Sequence, residues 1–203
     1  MARLILASAS PRRRVLLEQL GLEFTIRPAR IREEDFVAYP PAQRVEKLAL
    51  AKARAVTADL KAGEVILGAD TIVVCQGRVL GKPSSAEQAF EMLSFLSGKL
   101  HQVYTGLALI GGNPEKQVLT YECTSVLFRT LTAPEIAAYV ATGEPLDKAG
   151  GYGIQGKGAA LVKAVYGCYF NVVGLPLARL VPLLAEFGVY VWGNEEIEFG
   201  GQV

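Results

Sequence analysis

The chain contains very little histidine and cysteine, which restricts the chemistry of any catalytic centre. Among its 203 residues are one histidine, His101, and three cysteines, Cys75, Cys123 and Cys168. A centre built on several imidazoles is therefore impossible, and a serine–histidine–aspartate triad would have to use His101. The cysteines are odd in number and form no C-x-x-C pair, which argues against a disulfide framework and a thiolate zinc site. A catalytic metal would depend on carboxylates and substrate oxygens, which favours Mg²⁺ or Mn²⁺.

The chain also lacks a long apolar segment and an excess of one charge. No window approaches the ~20 uncharged apolar residues of a membrane span. The apolar start, residues 3–7, is too short for a signal peptide. The 21 Lys and Arg residues balance 20 Asp and Glu residues, whereas a nucleic-acid-binding protein usually has a basic excess. We therefore expect a soluble, cytoplasmic protein that binds neither membranes nor nucleic acid.

Apolar residues make up 51% of the chain, and their patterns alternate between strands and helices. Apolar runs predict strands at about 3–7, 23–29, 65–75, 78–80, 102–110, 117–129, 159–166 and 169–173. Proline signals predict helices at 11–20 and 42–62, and from Pro176 onwards with a kink at Pro182. Capping boxes at Ser84–Glu87 and Thr132–Glu135 predict helices at 84–98 and 132–142. The pattern predicts an α/β fold, a mixed sheet with flanking helices. We expect one domain over residues 1–190 and a C-terminal tail over 191–203.

Loops are predicted between these elements. The charged segment 30–41, a Gly-Gly-Asn-Pro turn at 111–114 and the glycine-rich segment 143–158 carry the signals of irregular structure.

A candidate phosphate site lies at the start of the first predicted helix. Ser8 and Ser10 come directly after a strand, Ser10 is a good N-cap, and Arg12 and Arg13 follow in the first helical turn. Free backbone N–H groups and the helix dipole favour anions at this position, and arginine can bind phosphate oxygens through two hydrogen bonds. A capped surface helix with solvated arginines is an equally good interpretation of this segment alone.

A second candidate is Asp70, which is followed by Thr71 inside the most apolar predicted strand. A carboxylate among such neighbours is costly to bury without a partner. It would therefore hold a cation or take part in proton transfer. Gly68, two residues earlier, leaves room for a ligand to approach the backbone. The alternative is an aspartate at a strand end that faces water. A functional role for Asp70 is the favoured interpretation.

Four further charged residues are ambiguous by themselves. Glu33 and Glu34 lie in the charged loop, Lys52 falls late in the second predicted helix, and Lys82 precedes a proline at a strand end. Each is more typical of a solvated surface residue than of a functional one. They become functional candidates only if the fold gathers them around Asp70.

The glycine-rich segment 144–158 matches two nucleotide-binding patterns by accident. Residues 151–156 fit G-x-G-x-x-G, but the acidic residue expected about 20 positions later is missing. Residues 151–157 fit G-x-x-x-x-G-K, but Gly158 replaces the hydroxyl residue and a strand follows. What remains is a loop that can approach a ligand and carries Lys148, Lys157 and the amide of Gln155. That amide could read a base edge, although an ordinary connection is at least as good an interpretation.

Taken together, these segments resemble the Maf family of nucleotide pyrophosphatases over nearly the whole chain, from Leu4 to about Leu184. The resemblance is carried by the motifs LILASASPRR (4–13), LALAKA (48–53), ILGADTIV (66–73), GKP (81–83), LSGKLHQVYTG (96–106), FRTLT (128–132), EPLDKAGGYGIQG (144–156) and VVGLP (172–176).

The resemblance implies an elongated, two-lobed α/β fold with a central cleft, similar to the inosine triphosphate pyrophosphatases. It also implies hydrolysis between the α- and β-phosphates of a nucleoside triphosphate, with Mg²⁺ or Mn²⁺. The family pattern maps onto residues for phosphate contact, which are Ser8, Arg12 and Arg13, and onto a catalytic centre, which comprises Glu33, Lys52, Asp70 and Lys82. Asp70 and Glu33 would bind the metal, with Glu34 as the alternative to Glu33.

The resemblance also indicates a substrate class. Members with a threonine after the aspartate and a glutamine in the GIQG loop resemble the branch that acts on dTTP and UTP, and Thr71 and Gln155 fit this branch. The branch that acts on 7-methyl-GTP has different residues there. Two alternatives stay open: a non-catalytic nucleotide-binding regulator of septum formation, and a pyrophosphatase for purine nucleotides such as ITP. The sequence does not distinguish a monomer from a homodimer.

Overall fold

The computed structural model describes residues 2–58, 60–111 and 116–192, and its strands form one mixed sheet. The strand order is β2-β1-β3-β5-β6-β7, and β4 pairs with β3. β1 is parallel to β2 and β3, whereas β4 is antiparallel to β3 and β7 is antiparallel to β6. The predicted α/β fold with a mixed sheet is therefore confirmed. The strands are β1 (Arg3–Leu6), β2 (Phe24–Ile26), β3 (Glu64–Cys75), β4 (Arg78–Leu80), β5 (Leu100–Gly111), β6 (Lys116–Phe128) and β7 (Val162–Tyr166).

The α-helices lie close to the predicted positions, with one addition. They are α1 (Pro11–Gln19), α2 (Pro41–Arg54), α3 (Ala86–Leu96), α4 (Ala133–Val140), α5 (Tyr169–Val173) and α6 (Leu177–Ala185). Short 3₁₀ turns lie in the loops predicted at 30–41 and 143–158, and these turns are Glu33–Phe36, Glu144–Asp147, Ala149–Gly151 and Gly156–Leu161. The last turn takes up the first three residues of the strand predicted at 159–166, so that strand begins at Val162. Within the described ranges, no helix is both long and apolar enough to cross a membrane.

The described residues divide into two compact units. Unit 1 comprises those within 1–70, 105–122 and 174–203, and unit 2 comprises those within 71–104 and 123–173. Each unit has a buried apolar cluster of its own, around Ile5 and Ile66 in unit 1 and around Leu93 and Phe128 in unit 2. The single domain over 1–190 and the two-lobed shape with its cleft stay predictions. Residues 112–114 of the turn predicted at 111–114, and nearly all of the predicted tail, from 193 onwards, lie outside the described residues.

Helix α2 packs directly against the sheet of unit 1 because glycines leave room for its backbone. A Cβ atom on Gly68 of β3 would lie 2.9 Å from the backbone nitrogen of Ala53 and closer still to the carbonyl oxygen of Ala49. A Cβ atom on Gly106 of β5 would lie 2.7 Å from the backbone nitrogen of Glu46. This close packing determines how near the side chains of α2 come to those of β3. The helix ends at Arg54, eight residues before the predicted end.

The N-terminal caps of α4 and α3 show how closely local sequence patterns predict where a helix begins. The predicted capping box of α4 is confirmed, because Thr132 Oγ1 accepts the Glu135 N–H and Glu135 Oε2 accepts the Thr132 N–H. The predicted box from Ser84 to Glu87 is wrong by one residue. The N-cap of α3 is Ser85, whose hydroxyl accepts the N–H of Gln88. Both serines match the local pattern, so the pattern could not choose between them.

The strand predicted at 169–173 is wrong, and the segment forms helix α5. Its valines favour a strand locally, but long-range hydrogen bonds override this preference. The buried side-chain amide of Asn171 donates to the carbonyl of Val103 and to Thr124 Oγ1, each at 2.9 Å. Thr124 Oγ1 also accepts the N–H of Cys168 at 3.1 Å. The helical turn satisfies these buried polar groups.

His101 is a core residue of unit 2. Its ring makes edge contacts with Phe128 and Tyr152, with centroids 4.9 Å and 5.4 Å away. Its Nε2 atom lies 2.8 Å from the Tyr152 hydroxyl. Burial lowers the pKa of His101 to about 4, so the ring is neutral in the folded protein near pH 7. We assign the only histidine of the chain to packing rather than to proton transfer.

We expect His101 to make the protein less stable as the pH falls from about 6.5 to about 4. In this range the unfolded chain binds a proton that the folded chain excludes, because the folded pKa is about 4 and the unfolded pKa is about 6.5. The loss in the free energy of unfolding should be about 3 kcal/mol across this range. Urea titrations between pH 4 and 7 would measure it. His101→Gln should be less stable at pH 7 but should lose this pH dependence, and an unchanged slope in the variant would contradict the assignment.

Candidate active site

Lys52 connects two carboxylates in unit 1. Its Nζ atom donates to Asp70 Oδ1 at 2.5 Å and to Glu33 Oε1 at 2.9 Å. Asp70 exposes only 6% of its surface, whereas the Glu33 side chain exposes 54%. The ammonium group therefore holds a buried and an accessible carboxylate side by side. Of the two adjacent glutamates, this contact is made by Glu33, the residue that the resemblance to the Maf family favours.

Three elements bring these groups together. Asp70 lies in β3, Lys52 lies in the last turns of α2, and Glu33 begins a 3₁₀ turn. The glycine contact between α2 and β3 brings the backbones close enough for Lys52 to reach Asp70. A buried carboxylate is costly unless it is paired and hydrogen-bonded. Lys52 provides the pairing that the apolar environment of Asp70 requires.

Arg13 is a buried cation of the same unit. Its Nη1 atom donates to Ser8 Oγ at 3.0 Å and its Nε atom donates to the carbonyl of Gly174 at 2.8 Å. Burial lowers the pKa of Arg13, and the negative charges of Asp70 and Glu33 oppose this change. Arg13 is thus within electrostatic range of both carboxylates. One edge of its guanidinium is held in a fixed orientation by Ser8 and Gly174.

The first turn of α1 concentrates positive charge. Ser10 occupies the N-cap position, as predicted, although its side chain makes no capping hydrogen bond, and Pro11 and three arginines follow. The N–H of Ser10 donates to Ser8 Oγ at 3.3 Å. Arg14 forms an exposed salt bridge with Glu18 one turn later. Positive side chains at a helix N-terminus are unfavourable because the dipole is positive there, so this arrangement favours an anion near Arg12 and Arg13.

Three predicted site residues belong to unit 2. Thr71 follows Asp70 in β3 and is half-buried, whereas Lys82 and Gln155 are exposed. The carbonyl of Gly81, beside Lys82, accepts the N–H of Gly150 at 3.0 Å. The segment that carries Lys82 is therefore connected to the glycine-rich segment that carries Gln155. The approach of these side chains to Asp70 stays a prediction.

Sequence reasoning missed two side chains that organise the glycine-rich segment. Tyr139 accepts the N–H of Gly153, and Glu144 accepts the N–H groups of Lys157 and Gly158. A tyrosine on the buried face of a helix needs a partner for its hydroxyl, and this was the available signal for Tyr139. Glu144 lay inside a recognised motif, but its partners could not be read from spacing.

Lys148, which the sequence places in a loop that could approach a ligand, is bonded within that loop instead. Its Nζ atom donates to the carbonyl of Glu144 and to Asp147 Oδ1, each at 2.6 Å. A Cβ atom on Gly153 would lie 2.7 Å from Lys148 Cε, so the lysine stem packs against the loop. Lys148 therefore supports the conformation of the loop.

Asp70 and Glu33 provide carboxylate oxygens, the ligands that a hard divalent cation prefers. Among the described residues, no group of three or more His, Cys, Asp or Glu side chains is arranged to hold a metal ion. Mg²⁺ bound with nucleotide phosphates commonly uses only one or two carboxylates and completes its coordination with phosphate oxygens and water. Asp70 and Glu33, which both contact Lys52, are two carboxylates that could hold such a cation.

A family profile described as Maf-like protein matches residues 3–187. This chain belongs to the Maf family. The membership predicted from the sequence motifs is thereby confirmed. The match includes every residue that we assign to the candidate site of this Maf protein.

Curated relatives are similar to this Maf protein over almost its full length. A dTTP/UTP pyrophosphatase of Moorella thermoacetica is 61% identical over 194 residues, which is 96% of this chain and 100% of the relative. A dTTP/UTP pyrophosphatase of Symbiobacterium thermophilum is 52% identical over 188 residues, which is 93% of this chain and 95% of the relative.

Among solved structures, the Ham1 protein of Staphylococcus aureus shows a weaker likeness to this Maf protein. Its TM-score is 0.43 at 12% identity, covering 62% of this chain and 71% of that chain.

Proposed function

We propose that this Maf protein hydrolyses the α–β phosphoanhydride of dTTP and UTP, releasing the nucleoside monophosphate and pyrophosphate. The observation that carries the proposal is the buried Asp70 held beside Glu33 by Lys52, within electrostatic range of Arg13. A phosphate-binding regulator would need the arginines but not this carboxylate centre. The names of the relatives above agree with the proposed substrates. Modified pyrimidine triphosphates belong to the same substrate class.

In the proposed complex, Ser8, Arg12 and Arg13 bind the phosphate oxygens. Burial of Arg13 strengthens its interaction with an anion, because a site of low dielectric screens charge less than water does. Its contacts with Ser8 and Gly174 fix the guanidinium before the substrate arrives. Preorganised donors of this kind stabilise developing charge without rearranging during the reaction.

Asp70 and Glu33 would also hold Mg²⁺ or Mn²⁺, a role that their arrangement fits. When bound, such a cation neutralises charge on the triphosphate and makes the phosphorus easier to attack. We assign this cofactor to the pair, with Lys52 keeping the two carboxylates together.

Asp70 has the most direct role in the proposed mechanism. Its carboxylate orients a water molecule and accepts its proton as the water attacks the α-phosphorus, and pyrophosphate leaves on the opposite side. Lys82 stabilises the charge of the leaving pyrophosphate. Chemistry of this type depends on positioning and charge stabilisation, so it needs neither a covalent nucleophile nor His101.

Activity measurements on a panel of nucleotides test the proposal. The purified protein is given dTTP, UTP, CTP, ITP, XTP, GTP and 7-methyl-GTP with Mg²⁺ or Mn²⁺, and pyrophosphate release is measured. We expect the highest kcat/KM for dTTP and UTP. Highest activity on ITP or XTP would favour the alternative, a pyrophosphatase for purine nucleotides. Nucleotide binding without pyrophosphate release would favour a regulator.

Gln155 is proposed to read the pyrimidine edge, with Thr71 shaping the pocket. We expect Gln155→Ala to lower kcat/KM for dTTP and UTP about 10- to 100-fold, the effect of losing a hydrogen-bonding partner. The metal concentration for half-maximal activity should stay unchanged. Gln102→Ala is a matched control, because Gln102 is also an exposed glutamine of unit 2. An equal loss for every base would argue for a structural role of Gln155.

A further inference from the structure

The loop that carries Gln155 is attached to the rest of unit 2 on its N-terminal side by a tyrosine. The N–H of Gly153 donates to the Tyr139 hydroxyl at 3.2 Å. Tyr139 lies on the buried face of α4. The loop backbone is thus fixed two residues before Gln155 by a side chain that is itself immobilised by packing.

A glutamate attaches the same loop on its C-terminal side. Glu144 Oε2 accepts the N–H of Lys157 at 3.1 Å, and Glu144 Oε1 accepts the N–H of Gly158 at 3.1 Å. These amides lie two and three residues after Gln155. A carboxylate that accepts two successive backbone N–H groups holds a loop more firmly than a neutral acceptor would.

The two attachment points are connected to each other. The Tyr139 hydroxyl donates to Glu144 Oε1 at 2.9 Å. Burial, together with the nearby negative charge of Glu144, raises the pKa of Tyr139, so its hydroxyl stays protonated and remains a donor. The hydrogen bonds therefore form a continuous network from Gly153 through Tyr139 and Glu144 to Gly158.

Close packing leaves the loop little freedom around this network. A Cβ atom on Gly158 would lie 2.6 Å from the Tyr139 hydroxyl oxygen, and one on Gly156 would lie 3.1 Å from Glu144 Oε2. Gly156 also has φ +69°, a conformation that favours glycine. Both glycines are required for the loop to approach the two side chains.

We propose that Tyr139 and Glu144 are positioning residues for base selection, holding the backbone on both sides of Gln155 so that its amide meets the pyrimidine edge. This inference rests on the proposed function of Gln155. Neither side chain needs to touch the substrate. Their effect is to reduce the number of loop conformations that compete with the binding-competent one, which raises the apparent affinity for the correct base.

The test uses two variants and a matched control in the full-length protein. Glu144→Gln replaces one acceptor oxygen with an NH₂ group that faces a donor. Tyr139→Phe removes only the hydroxyl and retains the packed ring. The control is Glu135→Gln, because Glu135 also accepts a backbone N–H within unit 2 but caps α4 instead of the loop. For each protein, pyrophosphate release from dTTP, UTP and ITP and amide hydrogen exchange are measured.

We expect both variants to lower kcat/KM for dTTP and UTP by up to about 100-fold, the effect of a small misplacement in a binding site. The loss should lie mainly in KM, and the preference for pyrimidines over ITP should fall by a similar factor. The amide of Gly153 should exchange about tenfold faster in Tyr139→Phe, and the amides of Lys157 and Gly158 about tenfold faster in Glu144→Gln, because each variant removes or weakens the acceptor of those N–H groups. Glu135→Gln should lower the melting temperature without changing the base preference.

Coupling to Gln155 separates positioning from general destabilisation. If Tyr139 and Glu144 act through the glutamine, Glu144→Gln should not reduce base preference further in a Gln155→Ala background. Additive losses, or unchanged amide exchange in the single variants, would overturn the inference while leaving the proposed function intact. A wild-type protein without pyrimidine preference would instead contradict the proposed function, and amide exchange would still decide whether the two side chains hold the loop.

Discussion

Asp70→Asn should reduce pyrophosphate release from dTTP by at least about 1000-fold at saturating Mg²⁺. The substitution keeps the shape of the side chain but removes its negative charge and its capacity to accept a proton. Loss of a general base alone costs about 10²- to 10⁴-fold, and the proposed metal would lose a charged ligand as well. Because Lys52 retains its 2.9 Å contact with Glu33, the lysine is not left unpaired. Folding and nucleotide binding should therefore survive.

The measurement combines pyrophosphate release with calorimetric nucleotide binding and thermal unfolding. Asp35→Asn is the matched control, because Asp35 is an exposed aspartate of the neighbouring 3₁₀ turn, with an Arg32 contact of 4.0 Å. This control should retain wild-type turnover. Near-normal turnover in Asp70→Asn would remove Asp70 from its proposed role. Loss of nucleotide binding together with turnover would point to a structural effect.

Gly68→Ala should lower the free energy of unfolding by about 3 kcal/mol, the upper end of the usual cost of overpacking. The added methyl group would collide with the backbone of α2 at Ala49 and Ala53. A backbone clash cannot be relieved by a change of rotamer, so the helix must move away from β3. The melting temperature should fall by about 10 °C in a chain of this size. Turnover should also fall, because α2 carries Lys52 towards Asp70.

Gly81→Ala is the matched control for this prediction. A Cβ atom at Gly81 would have no neighbour within 4 Å, so its stability should change by less than about 0.5 kcal/mol. Urea titration and thermal unfolding of both variants measure the difference. Equal stability of the two variants would contradict the close packing of α2 against β3.

Local patterns predicted most elements because their signals lie within a few residues. The capping box at Thr132 and the N-cap at Ser10 each depend on neighbours in the sequence, and both were located correctly. The strand predicted at 169–173 is wrong for the opposite reason. Its helix depends on Asn171 reaching Val103, which is 68 positions away, and no local pattern contains that information.

The candidate site also contains residues that local sequence identifies and residues that it does not. Asp70 could be selected from the sequence because a charged residue in an apolar strand is costly without a partner. Lys52 and Glu33 looked like ordinary surface residues until the resemblance to the family gave them a role. Tyr139 and Glu144 were missed because their function lies in hydrogen bonds to loop amides that spacing cannot reveal.

The sequence by itself determined the alternation of strands and helices, the family and the candidate residues, because these follow from periodicity, local caps and recognisable motifs. Only the tertiary structure decided that Lys52 pairs with Asp70, 18 positions away, and that Arg13 donates to Gly174, 161 positions away. The physical reason is that a buried charge acquires its partner only when separate elements pack together. That packing depends on small residues such as Gly68, whose importance lies in the side chain that it lacks.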